Sequence, residues 1–147
     1  MEEIIRARGH EHVSATHAST FEVTSDDWLT PAGDCILAVE ADRTPADFDR
    51  EFVAACRDSD ARIVAAFEAG ERTETVVGRG HPELSFEDDR SAVGRTSDYV
   101  DDRTIMVGAE KAAEGFDREF VAALSDGAEV TVTLSVEPAD GKGEQDR

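Results

Sequence analysis

An internal repeat constrains this sequence more than any other feature. Three blocks of the first half recur in the same order in the second half: 3–10 (EIIRARGH) with 74–81 (ETVVGRGH), 24–26 with 96–98 (TSD in both), and 48–55 with 116–123 (FDREFVAA in both). Because the order is preserved and the spacing drifts only slightly, duplication of one unit explains the pattern better than chance. The blocks predict two repeats, about 1–70 and 71–137, that form a single domain over 1–137.

Each repeat combines the periodicity of strands with that of a helix. Thr44 and Pro45 are typical of a helix start, and Phe48 and Phe52 then follow at helical spacing. The FDREFVAA block predicts the same helix in the second repeat. Alternating or short apolar runs predict strands at 13–24, 35–41, 62–67, 104–109 and 129–136.

The shared core decides the predicted architecture. A few strands and one helix are marginally stable alone, so the two repeats are expected to join about a pseudo-twofold axis. The predicted fold is mainly β with two helices (α+β). It is an internally duplicated β-sandwich or closed barrel of about eight strands, with the helices packed on it. Residues 138–147 carry almost no apolar content and predict a flexible acidic tail.

The charge balance of the chain is strongly acidic. Asp and Glu number 34 against 15 Lys and Arg, for a net charge of −19. Such a surface either binds a cationic partner or is adapted to high salt, which screens its self-repulsion. With Lys111 and Lys142 as its only lysines, the composition resembles that of haloarchaeal proteins. No basic stripe is present to displace counterions, so duplex nucleic acid is excluded as a partner.

The start of the chain and its cysteine content indicate a cytoplasmic protein. The first residues are acidic and no apolar run follows them, so neither a secretory signal nor a membrane span is expected. Two cysteines, Cys35 and Cys56, are too few for a disulfide framework.

Longer blocks resemble a known family. RGHEHVSATHASTFEVT, LTPAGDCILAVEAD and SDYVDDRTIMVGAEKAA followed by FDREFVAAL are similar to an archaeal family defined only as a domain of unknown function, number 371. The resemblance covers nearly the whole chain. It implies an archaeal cytosolic protein with a mainly β fold and no established activity, and any cofactor is unknown at this point. The recurring polar positions of the family would be His10, His17, Asp34, Cys35, His81, Asp102 and Arg103.

The two Arg-Gly-His triplets are the first candidate site. Arginine and histidine bind anions, and two copies placed by a twofold axis would line one cleft. The alternative is structural: Gly9 and Gly80 form turns, and the flanking arginines pair with carboxylates. On the first interpretation His10 and His81 contribute to a ligand site.

A cysteine nucleophile is the second candidate. Cys35 would react with His17 as its base, provided that its setting is partly exposed and electropositive. Counted back from the identical helices, Cys35 corresponds to Arg103 and Asp34 to Asp102. An unpaired arginine does not fit a core position, so this pair of positions is expected at the rim of the fold. The alternative is a small core cysteine.

A metal site is a weaker candidate. His10 and His12 share one face of an extended segment, as zinc ligands often do. His17 has the opposite parity and joins them only through a bulge or turn. The alternative is one half-buried histidine and two surface histidines, with no metal.

These residues together predict a binding module or small enzyme for a small anionic ligand, held in a cleft between the repeats. His10, His81 and Arg103 would bind the ligand, and Asp34 and Asp102 would orient them. Catalysis, if present, would use Cys35 and His17; the sequence does not decide whether the protein is an enzyme. The alternative is a non-catalytic protein that docks a protein partner.

Overall fold

Two four-stranded sheets and two α-helices make up the fold. The computed structural model describes residues 1–137, so the predicted tail at 138–147 lies outside the described residues. The strands within this range are β1 Glu2–Arg8, β2 Thr20–Thr24, β3 Ile36–Ala38, β4 Arg62–Ala69, β5 Arg72–Arg79, β6 Ser91–Arg95, β7 Thr104–Met106 and β8 Glu129–Glu137. The helices are α1 Arg50–Cys56 and α2 Arg118–Ser125, and a short 3₁₀ turn precedes each, at Pro45–Asp47 and Ala113–Gly115.

The strand order defines two separate sheets. The first sheet has the order β1-β8-β4-β5 and is antiparallel throughout. The second has the order β3-β2-β6-β7, with an antiparallel centre and parallel outer pairs. The edges of the two sheets are joined by isolated bridges rather than by continuous strand pairing. These bridges pair Arg8 with Val39 and Arg79 with Val107. Of the two predicted architectures, the two-sheet arrangement is therefore formed and the closed barrel is wrong.

The core lies between the two sheets. On β4 and β8 every second residue is buried, as expected of strands with one face on the core. Phe21 of the second sheet places its ring 5.8 Å from that of Phe67 in the first. A Cβ at Gly94 would lie 2.2 Å from the Phe21 ring, so this strand position requires glycine.

Two predicted elements are shorter than their sequence patterns indicate. The strand predicted over 13–24 begins at Thr20, because Ala15 has a positive φ of 51° and His17 Nδ1 accepts the N–H groups of Ser19 and Thr20 in a turn. The helix predicted from Thr44 splits, because Phe48 is extended. Asp49 then caps α1 by accepting the N–H of Glu51.

The other strand predictions differ only in length. The runs at 62–67 and 129–136 are strands, confirmed as β4 and β8. The runs at 35–41 and 104–109 shorten to β3 and β7, because Glu40 and Gly108 both adopt positive φ and end the extension. Neither described helix has the length and hydrophobicity of a membrane span.

A carboxylate, buried at Glu3 and partly buried at Glu74, holds the start of each helix. In the first half Glu3 accepts the Asp49 N–H at 2.7 Å and pairs with Arg43 at 2.6 Å. In the second half Glu74 accepts the Asp117 N–H at 3.3 Å and pairs with Lys111 at 2.6 Å. Both carboxylates sit on first-sheet strands, so they tie each helix N-cap to that sheet.

Candidate functional site

A groove lies between α1 and a loop from the second half of the chain. Its volume is about 450 Å³, within the range of small-molecule sites. One wall is the 3₁₀ turn and α1; the other is the segment 85–87. The lining residues are Pro45, Ala46, Phe48, Arg50, Val53, Ala54, Arg57, Ser85, Phe86 and Glu87. The walls therefore come from the two predicted repeats.

Aromatic rings form the apolar part of this groove. The Phe86 ring centroid lies 5.7 Å from that of Phe48 and 6.1 Å from that of Phe52. Phe86 has a positive φ of 52°, a costly conformation for a bulky residue, which persists here because its ring is buried in this cluster. The rings of Phe48 and Phe86 thus give the groove an apolar wall.

Charged and polar side chains surround the apolar wall. Arg57 donates from Nε to the carbonyl oxygen of Pro82 at 3.1 Å, and Ser85 Oγ donates to Asp102 at 2.9 Å. Glu87 is exposed on the loop side. Arg50 is exposed and makes no hydrogen bond or ion pair with any residue of the described range. It is thus a guanidinium with unused donors beside a cavity.

The same position of the other FDREFVAA block behaves differently. Arg118 is also exposed, but its guanidinium donates to main-chain carbonyls at 2.9 to 3.3 Å. The acceptors are Ser14, Ala15, Ala113, Glu114 and Phe116. Two identical local sequences therefore hold one engaged and one free arginine.

The histidines of the Arg-Gly-His triplets form turns. His10 Nδ1 accepts the N–H of His12 at 3.1 Å, and His81 Nδ1 accepts that of Glu83 at 3.0 Å. A Cβ at Gly9 would lie 1.9 Å from the Leu124 carbonyl oxygen, and one at Gly80 would lie 2.2 Å from that of Cys56. Each triplet therefore packs on the end of a different helix, and no hydrogen bond within the described range joins the two histidines.

Arg103 belongs to an ion-pair cluster on the second sheet. Asp101 accepts from Arg103 at 3.2 Å and from the buried Arg95 at 3.0 Å, and it also bonds Thr104 Oγ1. Burial alone would raise the pKa of Asp101, but the hydrogen bonds from Arg103 and the charge of Arg95 lower it to about 2. The guanidinium of Arg103 is thus already engaged by a carboxylate.

The predicted orienting carboxylates have other contacts. Asp102 accepts from Ser85 Oγ, which places it beside the groove. The main-chain carbonyl of Asp34 accepts the N–H groups of Thr16 and His17. Of the predicted ligand set, the structure brings only Asp102 next to the groove wall.

Cys35 sits at the edge of β3 in a negative environment. It is half-buried, and its Sγ donates to Glu22 at 3.4 Å. Burial and the neighbouring Glu22 raise the pKa of Cys35 to about 11. His17 Nδ1 is taken up by the N–H groups of Ser19 and Thr20 rather than by the thiol. This setting stabilises a neutral thiol, whereas a nucleophile needs a thiolate.

The histidines do not assemble as metal ligands. The rings of His10 and His12 are 5.3 Å apart, and His10 Nδ1 already accepts the His12 N–H. Within residues 1–137 no group of three or more His, Cys, Asp or Glu side chains has the geometry to hold a metal ion.

Sequence reasoning misses Arg50, Arg57 and the helix-anchoring Glu3 and Glu74. Arg50 carries no separate signal, because the same eight letters surround Arg118. Glu3 and Glu74 do carry a sequence signal. They are the first residues of the two copies of one repeated block, 3–10 and 74–81, and each lies at a core-facing strand position.

Comparison with known proteins places the chain in a family. The family model described as Domain of unknown function (DUF371) matches residues 5–137. An uncharacterized protein of Methanocaldococcus jannaschii is 39% identical over 136 residues, which cover 92% of this chain and 100% of that protein. Neither description names an activity.

Proposed function

The chain belongs to the DUF371 family, and we propose that it is a binding module for a small organic anion, held in the groove between α1 and the segment 85–87. This assigns the predicted cleft between the repeats to a defined cavity, with different binding residues from those expected. Arg50 and Arg57 replace Arg103, His10 and His81 as the cationic groups.

The free guanidinium of Arg50 carries this proposal. In a chain with a net charge of −19, a carboxylate partner for an arginine is readily available. Arg43, Arg90, Arg95 and Arg103 each have one. Arg50 lines the groove and has none within the described range, so its donors are free for a ligand carboxylate or phosphate, which arginine binds in a bidentate manner.

The other walls restrict the ligand. The exposed lining is mainly polar, and Phe48, Val53 and Phe86 supply its smaller apolar part, against which a short organic body would pack. Glu87 on the opposite side repels a second negative charge. This arrangement fits an organic ligand with a single anionic group, for which simple alkyl and aryl carboxylates are minimal probes.

Pairing registers support a pseudo-twofold relation between the repeats, which we include in the proposal. In the second sheet Glu22 pairs with Val93, and in the first Ala65 pairs with Leu134 and Ala66 with Thr133. An axis through these pairs exchanges β2 with β6 and β4 with β8. The paired bridges Arg8–Val39 and Arg79–Val107 follow the same exchange. On this relation the groove has one open and one arginine-filled copy.

A binding measurement with two variants tests the proposed function. Titration calorimetry with hexanoate and benzoate, at about 0.1 M and 2 M salt to separate specific binding from screened charge effects, is expected to give saturable binding. Arg50→Gln is expected to weaken it about tenfold through loss of a charge-assisted pair. Ala54→Trp fills the groove and is expected to abolish it. Arg62→Gln removes an exposed arginine elsewhere and is the control. Equal affinity in all variants contradicts the proposal.

A second candidate function is protein docking. Trp28 and Tyr99, the only Trp and Tyr of the chain, are 55% and 58% exposed on loops of the second sheet. Exposed aromatic residues are favoured at interface hot spots. The test is isolation of the protein from its native host together with any partner present in stoichiometric amount. Docking is supported if the double variant Trp28→Ser, Tyr99→Ser stays folded and loses that partner, while Arg62→Gln retains it. An unchanged complex contradicts it.

A further inference from the structure

We infer that the groove ligand carries a guanidinium group as well as its anionic group, so that its class is an arginine-like guanidino acid. This inference rests on the proposed function for the anionic half of the ligand. The cationic half rests on a separate observation, the filled copy of the same groove in the second half of the chain.

Arg118 shows what the filled copy binds. Its Nη2 donates to the carbonyl oxygens of Phe116 at 2.9 Å and of Ala15 and Ala113 at 3.1 Å. Nη2 also donates to the Glu114 carbonyl at 3.2 Å, Nη1 donates to that of Ser14 at 3.3 Å, and Nε donates to that of Phe116 at 3.1 Å. Most of these carbonyls surround Nη2, and the contacts of Nη1 with Ser14 and of Nε with Phe116 use the other two nitrogens of the planar group, whereas an ammonium has three donors on one atom.

Every one of these acceptor positions has a counterpart on the open groove. The identical helices align Ala113, Glu114 and Phe116 with Pro45, Ala46 and Phe48, and the Arg-Gly-His blocks align Ser14 and Ala15 with Ser85 and Phe86. Ala15 and Phe86 also share a positive φ, 51° and 52°. All five counterparts line the cavity of about 450 Å³. The open groove is thus the Arg118 site without its arginine.

Apart from Pro45, the open acceptors are not satisfied from within the described range. The carbonyl of Pro45 accepts the Phe48 N–H, as that of Ala113 accepts the Phe116 N–H. The carbonyls of Ala46, Phe48 and Ser85 accept no hydrogen bond from residues 1–137. Carbonyl oxygens beside a cavity bind a cation well, and the net charge of −19 lowers the cost of bringing one in.

Arg50 explains why the ligand is a zwitterion rather than a simple cation. Its guanidinium lines the same cavity and repels a ligand with positive charge alone. A carboxylate on the ligand would offset that repulsion by pairing with Arg50. A flexible chain between the two groups would lie against Phe48 and Phe86.

Calorimetry with four probes tests the inference on the full chain: N-acetyl-L-arginine, its isostere with an uncharged side chain N-acetyl-L-citrulline, agmatine, which is cationic at both ends and has no carboxylate, and hexanoate as the anion alone. N-acetylarginine is expected to bind at least about tenfold more tightly than the other three, because each lacks one charge-assisted contact. Arg50→Gln is expected to weaken N-acetylarginine about tenfold and to strengthen agmatine binding slightly, because it removes the charge that repels a cation, with Arg62→Gln as the control. Acetyl-Gly-Gly-Arg with a free carboxylate tests the source of the ligand. Affinity equal to or above that of N-acetylarginine indicates a peptide C-terminus, and much weaker affinity indicates a free small molecule.

The other outcomes separate the inference from the proposed function. Hexanoate binding as tightly as N-acetylarginine overturns the guanidinium assignment and leaves the anion site standing. Agmatine binding with no effect of Arg50→Gln on any probe supports the cation site and overturns the anion site. Agmatine binding much more tightly to Arg50→Gln than to the wild type overturns the inference, because Arg50 would then be the occupant. Absence of binding by every probe overturns both.

Discussion

Arg43 Nη2 lies 2.6 Å from Oε1 of Glu3, a carboxylate whose side chain is only 7% exposed. Arg43 also donates to the carbonyl oxygens of Ile4 and Asp47, and its guanidinium lies 5.6 Å from the centre of the Phe48 ring. This pair therefore connects β1, the 3₁₀ turn and the aromatic wall of the groove. The position of the groove depends on it.

Removal of the Glu3 carboxylate is expected to destabilise the protein. Glu3→Ala leaves Arg43 without its carboxylate and the Asp49 N–H without its acceptor, at a cost of about 2–3 kcal/mol in the free energy of unfolding. Urea unfolding followed by circular dichroism measures it, with the exposed neighbour in Glu2→Ala as the control. A loss equal to that of the control contradicts the anchoring role.

Substitution of the triplet glycines is expected to be costly. Gly9→Ala places a methyl group 1.9 Å from the Leu124 carbonyl oxygen, which belongs to a helix end that cannot move freely. We expect a loss of about 3 kcal/mol or more. Gly70→Asn is the matched control, because no atom lies within 4 Å and asparagine tolerates its positive φ of 63°. If thermal unfolding shows both variants as stable as the wild type, the packing of the triplet on α2 is refuted.

Cys35 is expected to alkylate slowly. Burial and Glu22 raise its pKa to about 11, so at pH 8 its thiolate fraction is roughly a hundredfold below that of a free cysteine. Glu22→Gln removes the charge and is expected to lower the pKa and speed the reaction with iodoacetamide. The reaction is followed by mass spectrometry in a Cys56→Ser background. Alkylation of the wild type as fast as free cysteine would instead support the nucleophile hypothesis.

The Asp101 cluster predicts a specific acid sensitivity. The pKa of Asp101 is lowered from 3.8 to about 2, so its contribution to stability is complete above pH 4 and is lost as the pH falls through about 2. Asp101→Asn is expected to lower stability at pH 7 and to flatten the pH dependence between these values. Denaturant unfolding at several pH values measures it, and the exposed Asp98→Asn is the control. A parallel curve for Asp101→Asn rules out the cluster as the cause.

The hydrophobicity pattern of the sequence predicts an element correctly where its buried face is apolar and its exposed face is polar. β8 alternates cleanly and is predicted almost to the residue, whereas β1 places Glu3 on its buried face and so hides its period from a hydrophobicity pattern. The repeat blocks predict two matching helices, but not the break at Phe48. That break depends on the Asp49 cap and on the hold of Glu3 on the Asp49 N–H, a contact across 46 residues.

The binding residues are less predictable than the fold, because side-chain partners come from distant segments. His10 and His81 have the chemistry of ligands, yet their Nδ1 atoms are used by neighbouring N–H groups. Arg50 and Arg118 lie in identical octapeptides and differ only in what faces them: Ala15 beside Arg118, and Phe86 in the corresponding place beside Arg50. Tertiary packing, and not local sequence, decides which arginine is free.

A crystal structure of the protein grown with N-acetyl-L-arginine tests the central proposal most directly. We predict ligand density in the groove between α1 and the segment 85–87, with the carboxylate on Arg50 and the guanidinium against the carbonyls of Ala46, Phe48 and Ser85. An empty groove at saturating ligand, or a groove filled by the Arg50 side chain in the manner of Arg118, contradicts it.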